Sequence, residues 1–357
     1  EVAAGREAGH FALGAADGGE GEFKNMKVTC PDGNVLFEGM PSPARHWQIS
    51  GTGTEMHLDT TDPLNSLQSM KITALSAGEG LLQKDLYLKK GDTQNGSLWL
   101  RGQAKDEIVI RLRNGNDVLA EQKIKMTGNT WKEYTVHLTP SSDADYGSLE
   151  IVSGGVSTFW VDQVVMMPNS AKLTGGFRPD LLKAVSDIKP ASIRWPGGSY
   201  IGGFKWKNTI GPQYKRIGKA GWDDFDPLAF GVDEFLRLCS KLGAEPVMVV
   251  NIGPRRTAPA DPESLQDICD LVEYCNGSAT GKWGALRASN GHPEPYNIKY
   301  WELDNEVWST QPDVYAALVN EFAPAMKKIY PDIILIACGS GSLGQNPGQW
   351  PMGDEVV

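Results

Sequence analysis

Short segments in which apolar and polar residues alternate dominate the first half of the chain. They lie between about residues 41 and 168, where no helical period is found, and turn residues separate them. The predicted strands are 55–59, 69–74, 82–89, 97–104, 107–113, 131–138, 148–152 and 158–166. This pattern predicts an antiparallel β-sandwich of the jelly-roll type over residues 41–168.

Residues 1–40 are rich in glycine and charge and contain two shorter alternating runs, at 23–29 and 34–38. The Pro-Asp-Gly turn signal at 31–33 separates these runs, so they predict a β-hairpin. We interpret the hairpin as the C-terminal end of a lectin-like β-domain whose first strands precede this chain.

After residue 170 the pattern changes to amphipathic helices that alternate with short apolar strands. The predicted helices are 178–188, 231–243, 262–275 and 312–329, and the strands that follow them are 191–195, 246–251, 298–305 and 333–338. This alternation predicts a parallel sheet, and the absence of a Gly-rich dinucleotide motif favours a (β/α)8 TIM barrel over a doubly wound sheet. Residues 169–357 are therefore predicted to form the N-terminal half of such a barrel.

The carboxyl ends of the predicted barrel strands carry small, polar or charged residues, and TIM-barrel active sites lie at this end. Glu306 is the strongest candidate there, because it follows an apolar strand and is flanked by Trp301 and Trp308. A glycosidic oxygen is a poor leaving group, so a carboxylic acid must protonate it as the bond breaks. Asn305 can hydrogen-bond the sugar hydroxyl next to the anomeric carbon. An Asn-Glu pair elsewhere in a sequence is usually solvated on the surface, so its position at a predicted strand end is what makes it a candidate.

Composition narrows the class of partner. The net charge of -10 and the pI near 5.1 argue against binding to nucleic acid or to an anionic membrane, since either needs a basic face. Eleven Trp, ten Tyr and ten Phe are typical of proteins that stack aromatic rings on sugars, although a single Trp is more often a core residue. The five cysteines are an odd number without metal-type spacing, so neither a disulfide framework nor a zinc site is indicated. No metal and no cofactor are expected.

The chain begins at Glu1 and contains neither a signal-peptide h-region nor an apolar run long enough to cross a membrane. We interpret it as part of a secreted or periplasmic protein whose ends lie outside the sequence. The sequence does not determine the oligomeric state, so a homo-oligomer is one of the alternatives.

Seven segments of the second half carry a resemblance to a known family. They are 193–198 (IRWPGG), 231–236 (GVDEFL), 242–246 (LGAEP), 249–253 (VVNIG), 272–276 (VEYCN), 290–297 (NGHPEPYN) and 299–306 (KYWELDNE). In order and spacing they resemble the α-L-arabinofuranosidases of glycoside hydrolase family 51. The resemblance implies a clan A barrel in which Glu306 is the catalytic acid/base, and in which Arg194, Asn251 and Asn305 shape the subsite for the terminal arabinose.

Two further candidates, Ser199 and Trp222, follow the predicted strand 191–195. Ser199 stands where family members often have Asn or Cys, a position that the resemblance places beside the sugar. Trp222 precedes the acidic residues Asp223, Asp224 and Asp226 and is a candidate to stack on the substrate. A solvated surface loop is the alternative for this acidic segment.

The sequence departs from the family at two points that bear on catalysis. Asp304 stands where many members have Gly, which places a second negative charge near Glu306. The nucleophilic Glu expected at a later strand has no candidate in the chain. A retaining mechanism needs two carboxylates about 5 Å apart, so the chain alone is expected to be inactive and the activity is assigned to its full-length parent.

Four segments of the predicted sandwich carry a second resemblance: 58–60, 63–65, 131–134 and 159–162. They resemble family 4 carbohydrate-binding modules, which many family 51 enzymes carry after the first barrel strand. This resemblance implies that the sandwich binds sugar. The alternative, which the sequence supports equally, is that Trp99, Trp131 and Trp160 pack in the core of the sandwich and bind nothing.

Three functions remain open on these grounds. The first is a hydrolase that releases terminal α-L-arabinofuranosyl residues from arabinose-containing polysaccharides or oligosaccharides. The second is an endo-glucanase or a xylosidase of the same clan, because subsite shape alone separates these activities. The third is a non-catalytic carbohydrate-binding protein built on a degenerate barrel.

Overall fold

The computed structural model describes residues 26–29, 33, 35–39, 46–65, 68–104, 106–220, 225–253, 258–307 and 310–339. Strands β1 (Met26–Thr29) and β2 (Val35–Gly39) pair antiparallel, as the two alternating runs predict. Their membership in a lectin-like domain stays a prediction.

The next ten strands form two antiparallel sheets. They are β3 (Gln48–Ser50), β4 (Glu55–Asp59), β5 (Ser69–Ala74), β6 (Gly80–Leu88), β7 (Gln94–Ala104), β8 (Ile108–Asn114), β9 (Asp117–Ile124), β10 (Lys132–Leu138), β11 (Ala144–Ser153) and β12 (Ser157–Pro168). The strand orders are β10-β7-β12-β5-β4 and β3-β6-β11-β8-β9. Side chains from both sheets, among them Ile72, Ile110 and Phe159, share one buried core. An antiparallel β-rich domain is therefore confirmed, and the jelly-roll connectivity stays a prediction.

Helices and parallel strands follow. The helices are α1 (Asn169–Leu173), α2 (Pro179–Ile188), α3 (Val232–Leu242), α4 (Pro262–Asn276), α5 (Lys282–Ser289) and α6 (Pro312–Ile329). The strands are β13 (Ser192–Trp195), β14 (Lys219–Ala220), β15 (Phe225–Asp226), β16 (Glu245–Val250), β17 (Tyr300–Leu303) and β18 (Ile334–Ala337). β14 and β15 form a small antiparallel pair. The other four make a parallel sheet in the order β13-β16-β17-β18, as the alternation of helices and strands predicts.

The two faces of the parallel sheet have different environments, because successive side chains of a strand point to opposite faces. Met248, Trp301 and Leu303 are fully buried in the core that the sheet shares with the helices. The opposite face carries Arg194 and Glu302. It also carries Ile334, which is 43% exposed. Polar groups of the candidate site lie on this second face and at its carboxyl edge.

A buried arginine shapes the loop that leads into β17. Arg287 is fully buried and donates hydrogen bonds to the backbone carbonyls of Tyr274, Gly277, His292 and Pro293, at distances of 2.7 to 3.0 Å. A buried guanidinium is tolerated only when its donors are satisfied. These bonds fasten the loop after α5 to the end of α4.

The β-rich domain contacts the loop between β13 and α3. The ring of Trp99 packs on that of Tyr214 with centroids 5.1 Å apart, and Asn65 Nδ2 donates to the carbonyl of Arg216 at 2.7 Å. Arg216 is buried and forms a two-pronged ion pair with Glu234 in the first turn of α3, with both N–O distances at 3.0 Å. The domain therefore contacts a loop that the first turn of α3 holds in place.

We expect Trp99→Ala to lower the free energy of unfolding by about 1.5 kcal/mol, because it removes buried apolar area and a ring contact. Urea unfolding of the chain measures the change. Tyr146→Ala is the matched control, since the Tyr146 side chain on β11 is 81% exposed and its loss should be near neutral. Equal losses in the two variants would show that the contact with Tyr214 contributes nothing.

Candidate active site

Asn305 lies at the centre of the candidate site and is only 7% exposed. Its Oδ1 accepts hydrogen bonds from Nη2 of Arg194 at 2.8 Å and from the backbone N–H of Gly198 at 3.1 Å. Because both partners are donors, they identify this atom as the oxygen and determine the orientation of the amide. Two separate parts of the chain, strand β13 and the loop after it, therefore position Asn305.

Arg194 also forms a bidentate ion pair with Glu302 on β17. Its Nε lies 2.5 Å from Oε2 and its Nη2 lies 2.6 Å from Oε1. The hydrogen bonds from Arg194 to Glu302 raise the pKa of Arg194 above its usual value, so the guanidinium stays charged. The geometry is the fork-to-fork arrangement that gives Arg–carboxylate pairs their directionality. Glu302, 14% exposed, is thereby used to orient Arg194 towards Asn305.

Gly197 allows this close approach of the arginine. A Cβ atom at position 197 would lie 2.3 Å from Nη1 of Arg194, and the residue has φ +61°, where L side chains are strained. Arg194 could leave only by giving up its bonds to Glu302 and Asn305. The Pro-Gly-Gly motif thus leaves space for the guanidinium.

Glu306 follows Asn305 at the end of β17 and is exposed. Asp304 and Glu306 adopt left-handed backbone conformations, with φ of +70° and +45°, which are uncommon for residues other than Gly. The Asp304 carboxylate is buried, and its Oδ1 accepts the backbone N–H of Asn305 at 2.7 Å. The chain therefore turns sharply at the strand end, where strained backbone is a frequent feature of functional sites.

The surroundings of Glu306 differ from the sequence-based expectation in one respect. Trp301 is fully buried on the helix-facing side of the sheet, and its Nε1 donates to the carbonyl of Ile298 at 3.1 Å. It therefore does not flank the exposed Glu306 side chain. Trp308 lies outside the described residues.

Asn251 and Ser199 lie at the same edge of the sheet. Asn251 directly follows β16, donates from Nδ2 to the carbonyl of Gly202 at 3.1 Å and accepts the N–H of Gly253 at 2.9 Å. Ser199 begins the 3-10 turn Ser199–Gly203 next to Gly198. Asn251 therefore holds the turn that starts with Ser199.

Part of the acidic segment lies in the described residues. Tyr200 donates its hydroxyl to Oδ2 of Asp226 at 2.6 Å, and the N–H of Leu228 donates to Oδ1 at 2.7 Å. Asp226 is thus a structural acceptor that ties β15 to the turn beside Ser199. Trp222, Asp223 and Asp224 lie outside the described residues, so the stacking role of Trp222 stays a prediction.

The tryptophans of the β-rich domain are engaged within the protein. Arg101 lies over the rings of Trp160 and Trp131, at 4.4 Å and 5.3 Å from their centroids. The indole N–H of Trp160 donates to Asp59 at 2.5 Å, and that of Trp131 donates to the carbonyl of Asp62 at 2.9 Å. Hydrogen bonding to Thr61 and Trp160 lowers the pKa of Asp59 to about 2, so this acceptor is ionised. These contacts support the packing role for Trp131 and Trp160.

No group of three or more His, Cys, Asp and Glu side chains in the described ranges could hold a metal ion. Cys239, Cys269, Cys275 and Cys338 have free thiols, and burial raises the pKa of each. Among the helices that the structure describes, none combines the length and apolar character needed to span a bilayer.

Comparisons with known proteins agree with this arrangement. Residues 184–353 match the family model described as the alpha-L-arabinofuranosidase 1 domain. Alpha-L-arabinofuranosidase 1 of Arabidopsis thaliana is 28% identical over 336 residues, which are 85% of this chain and 49% of that protein. An intracellular exo-alpha-(1->5)-L-arabinofuranosidase of Acetivibrio thermocellus is 36% identical over 182 residues, which are 49% of this chain and 35% of that enzyme.

This chain is similar to the family 51 α-L-arabinofuranosidases. The resemblance predicted from the sequence is confirmed. An arabinose-bound family 51 α-L-arabinofuranosidase matches with a TM-score of 0.73 and 22% identity, covering 82% of this chain and 52% of that one, and shows the same fold. This likeness supports a fold that contains a TIM barrel and an N-terminal β-rich domain.

The chain spans about half the length of the Arabidopsis relative and about a third of the Acetivibrio relative. The second of these is named as intracellular, so similarity does not establish a secreted or periplasmic location. That location, the domain boundaries and the binding of sugar by the β-rich domain stay predictions.

Proposed function

We propose that this chain contributes the acid/base half of a retaining α-L-arabinofuranosidase, which releases terminal non-reducing arabinofuranosyl residues from polysaccharides or oligosaccharides. The observation that supports it best is the Asn305–Glu306 pair at the carboxyl edge of a parallel sheet, with Asn305 held by Arg194 and Gly198. Similarity to known proteins supports this assignment, because relatives of this chain are named as arabinofuranosidases.

Glu306 acts twice in this mechanism. As a carboxylic acid it protonates the glycosidic oxygen while a nucleophilic carboxylate attacks the anomeric carbon from the opposite side. As a carboxylate it then removes a proton from the water that hydrolyses the glycosyl–enzyme intermediate. Its exposure at the sheet edge leaves it accessible to the leaving group and to water.

Asn305 contributes to binding in the transition state. A rigid amide can hydrogen-bond the sugar hydroxyl next to the anomeric carbon, an interaction that strengthens as positive charge develops on the ring. Arg194 positions Asn305, and Asn251 positions the turn that carries Ser199. The sugar ring would then lie against the edge of the sheet between these groups.

The nucleophile is expected outside this chain. Glu302 binds Arg194 through both of its oxygens, and Asp304 accepts a backbone N–H. These two carboxylates, which lie near Glu306 in the described part of the chain, are therefore not suitable nucleophiles. Turnover therefore requires the full-length protein, which is the polypeptide that also supplies the second carboxylate.

A panel of aryl glycosides tests the proposal. We expect the full-length protein to hydrolyse an aryl α-L-arabinofuranoside with a kcat/KM about 100-fold above that for an aryl β-D-xylopyranoside, because buried polar groups discriminate strongly between ring forms. Proton NMR should show that the first product has the anomeric configuration of the substrate.

Equal efficiency on the xyloside, or activity confined to a β-glucan, would favour the clan relatives that act on those substrates. Binding of arabinan without hydrolysis of any substrate would instead indicate a carbohydrate-binding protein. Either result contradicts the proposed activity.

A further inference from the structure

The hydroxyl of Tyr315 lies between β17 and β18 at the point where their pairing ends. Tyr315 belongs to α6 and is fully buried. It donates to the carbonyl of Leu303 at 2.7 Å and accepts the backbone N–H of Cys338 at 2.9 Å. Leu303 is the last residue of β17, and Cys338 is the first residue after β18.

The position of this hydroxyl interrupts a regular hydrogen-bond ladder. Leu303 lies opposite Ala337, and the N–H of Ile334 donates to the carbonyl of Lys299 at 2.7 Å. Bonds in a parallel ladder recur at every second residue, so the series that begins with Lys299 predicts a bond from Cys338 N–H directly to the Leu303 carbonyl. Tyr315 is inserted into that bond, since Cys338 has a single N–H and directs it to the phenol oxygen.

The other side of β17 keeps its ladder. The N–H of Asp304 donates to the carbonyl of Val250 on β16 at 2.8 Å. The end of β17 is therefore bonded directly to one neighbour and through a tyrosine hydroxyl to the other. The left-handed residues Asp304 and Glu306 follow at once, so the separation of β17 from β18 precedes the turn that presents Glu306.

We infer that Tyr315 is a positioning residue whose hydroxyl holds the ends of β17 and β18 apart and so sets the place and direction of Glu306. This inference rests on the proposed function of Glu306. Burial raises the pKa of Tyr315 far above neutrality, so the group keeps the proton that it donates to Leu303. The thiol of Cys338 also approaches the Leu303 carbonyl, at 3.5 Å, and fills the space beside the hydroxyl.

Removing one oxygen atom tests this role. In Tyr315→Phe the ring still fills its place in the core, but the Leu303 carbonyl and the Cys338 N–H lose their bridge. We expect them to bond directly, which would move the strand ends together and displace Glu306. A displacement of about 1 Å in a catalytic group can cost up to about 100-fold in rate, so we expect kcat of the full-length protein to fall about tenfold with KM little changed.

The pH profile separates positioning from a general structural defect. Because Glu306 would sit in a different environment, the acidic and basic limbs of the kcat profile should shift in Tyr315→Phe. Tyr330→Phe is the matched control: Tyr330 follows α6, and its hydroxyl bonds Asn297 at 3.3 Å, away from the strand ends. Its kcat and pH profile should match those of the unmodified protein.

A structural measurement on the chain itself makes the test independent of activity. Crystal structures of the unmodified chain and of the Tyr315→Phe variant should show the distance from Cys338 N to Leu303 O fall to about 2.9 Å in the variant. An unchanged strand separation and Glu306 position would overturn the inference, and so would an unchanged kcat. If the full-length protein hydrolyses no arabinofuranoside, the proposed function fails, while the strand separation still decides whether the hydroxyl acts as a spacer.

Discussion

Glu306→Gln in the full-length protein is expected to lower kcat/KM on arabinan-derived oligosaccharides by about 10³-fold, within the range for loss of a general acid. The amide keeps the size of the carboxyl group but cannot supply a proton to the leaving sugar oxygen. Steady-state rates on an oligosaccharide measure the loss, and because Glu306 is exposed, little change in thermal stability is expected.

The choice of leaving group shows whether Glu306→Gln has lost an acid in the first step and a base in the second. A nitrophenyl leaving group needs little protonation, so the first step should be affected far less than with an oligosaccharide. The second step still lacks its base, so a burst of nitrophenol followed by slow turnover is expected. Azide, which needs no deprotonation, should restore turnover and yield the glycosyl azide.

Glu294→Gln is the matched control, because Glu294 is an exposed carboxylate in the loop before β17. It should keep the activity of the unmodified protein. An oligosaccharide rate within about threefold of normal in Glu306→Gln, or no rescue by azide, would show that the acid/base is another residue.

The periodic pattern of the second half predicts its helices and strands well because each element buries one regular face. The predicted helix 231–243 corresponds to α3, which ends at Leu242 because Gly243 adopts a left-handed conformation. The predicted strand 298–305 is shorter in the structure, since β17 ends at Leu303 and Asp304 has φ +70°. A strand end determined by backbone conformation leaves little trace in a hydrophobic pattern.

The elements missed by the sequence analysis have weak patterns. Strand β9 (DVLAEQKI) shows no regular alternation of apolar and polar residues, and it lies at the edge of its sheet, where one side lacks a partner strand among the described residues. Helix α5 has no continuous apolar stripe and instead buries Arg287, whose partners are four backbone carbonyls. Backbone partners cannot be predicted from side-chain composition.

The candidate site shows the same division. Arg194, Asn251 and Asn305 could be placed together because strand ends of a parallel sheet meet at one edge. Glu302 and Tyr315 were missed, since their roles depend on the register of β17 against its neighbours. The alternation of side chains in β17 was the available signal, because it places Glu302 on the face opposite Trp301 and Leu303.

Arg194→Lys is expected to lower kcat/KM by about 10²-fold, although the positive charge is kept. An ammonium group cannot bind both oxygens of Glu302 and also reach Oδ1 of Asn305, as the planar guanidinium does at 2.5 to 2.8 Å. Asn305 would keep only the N–H of Gly198 and lose its defined orientation towards the sugar. Because the hydrogen bond proposed from Asn305 to the sugar strengthens in the transition state, the loss should fall mainly on kcat.

Arg178→Lys is the control for the same substitution in an exposed ion pair, since Arg178 binds Asp180 at the start of α2. Its kinetics should be normal. A double-mutant cycle of Arg194→Lys with Glu302→Gln then tests whether the two residues act as one unit. If Glu302 serves only to orient Arg194, the second substitution should add little to the first, whereas fully additive losses would mean that Glu302 has a separate role in the reaction.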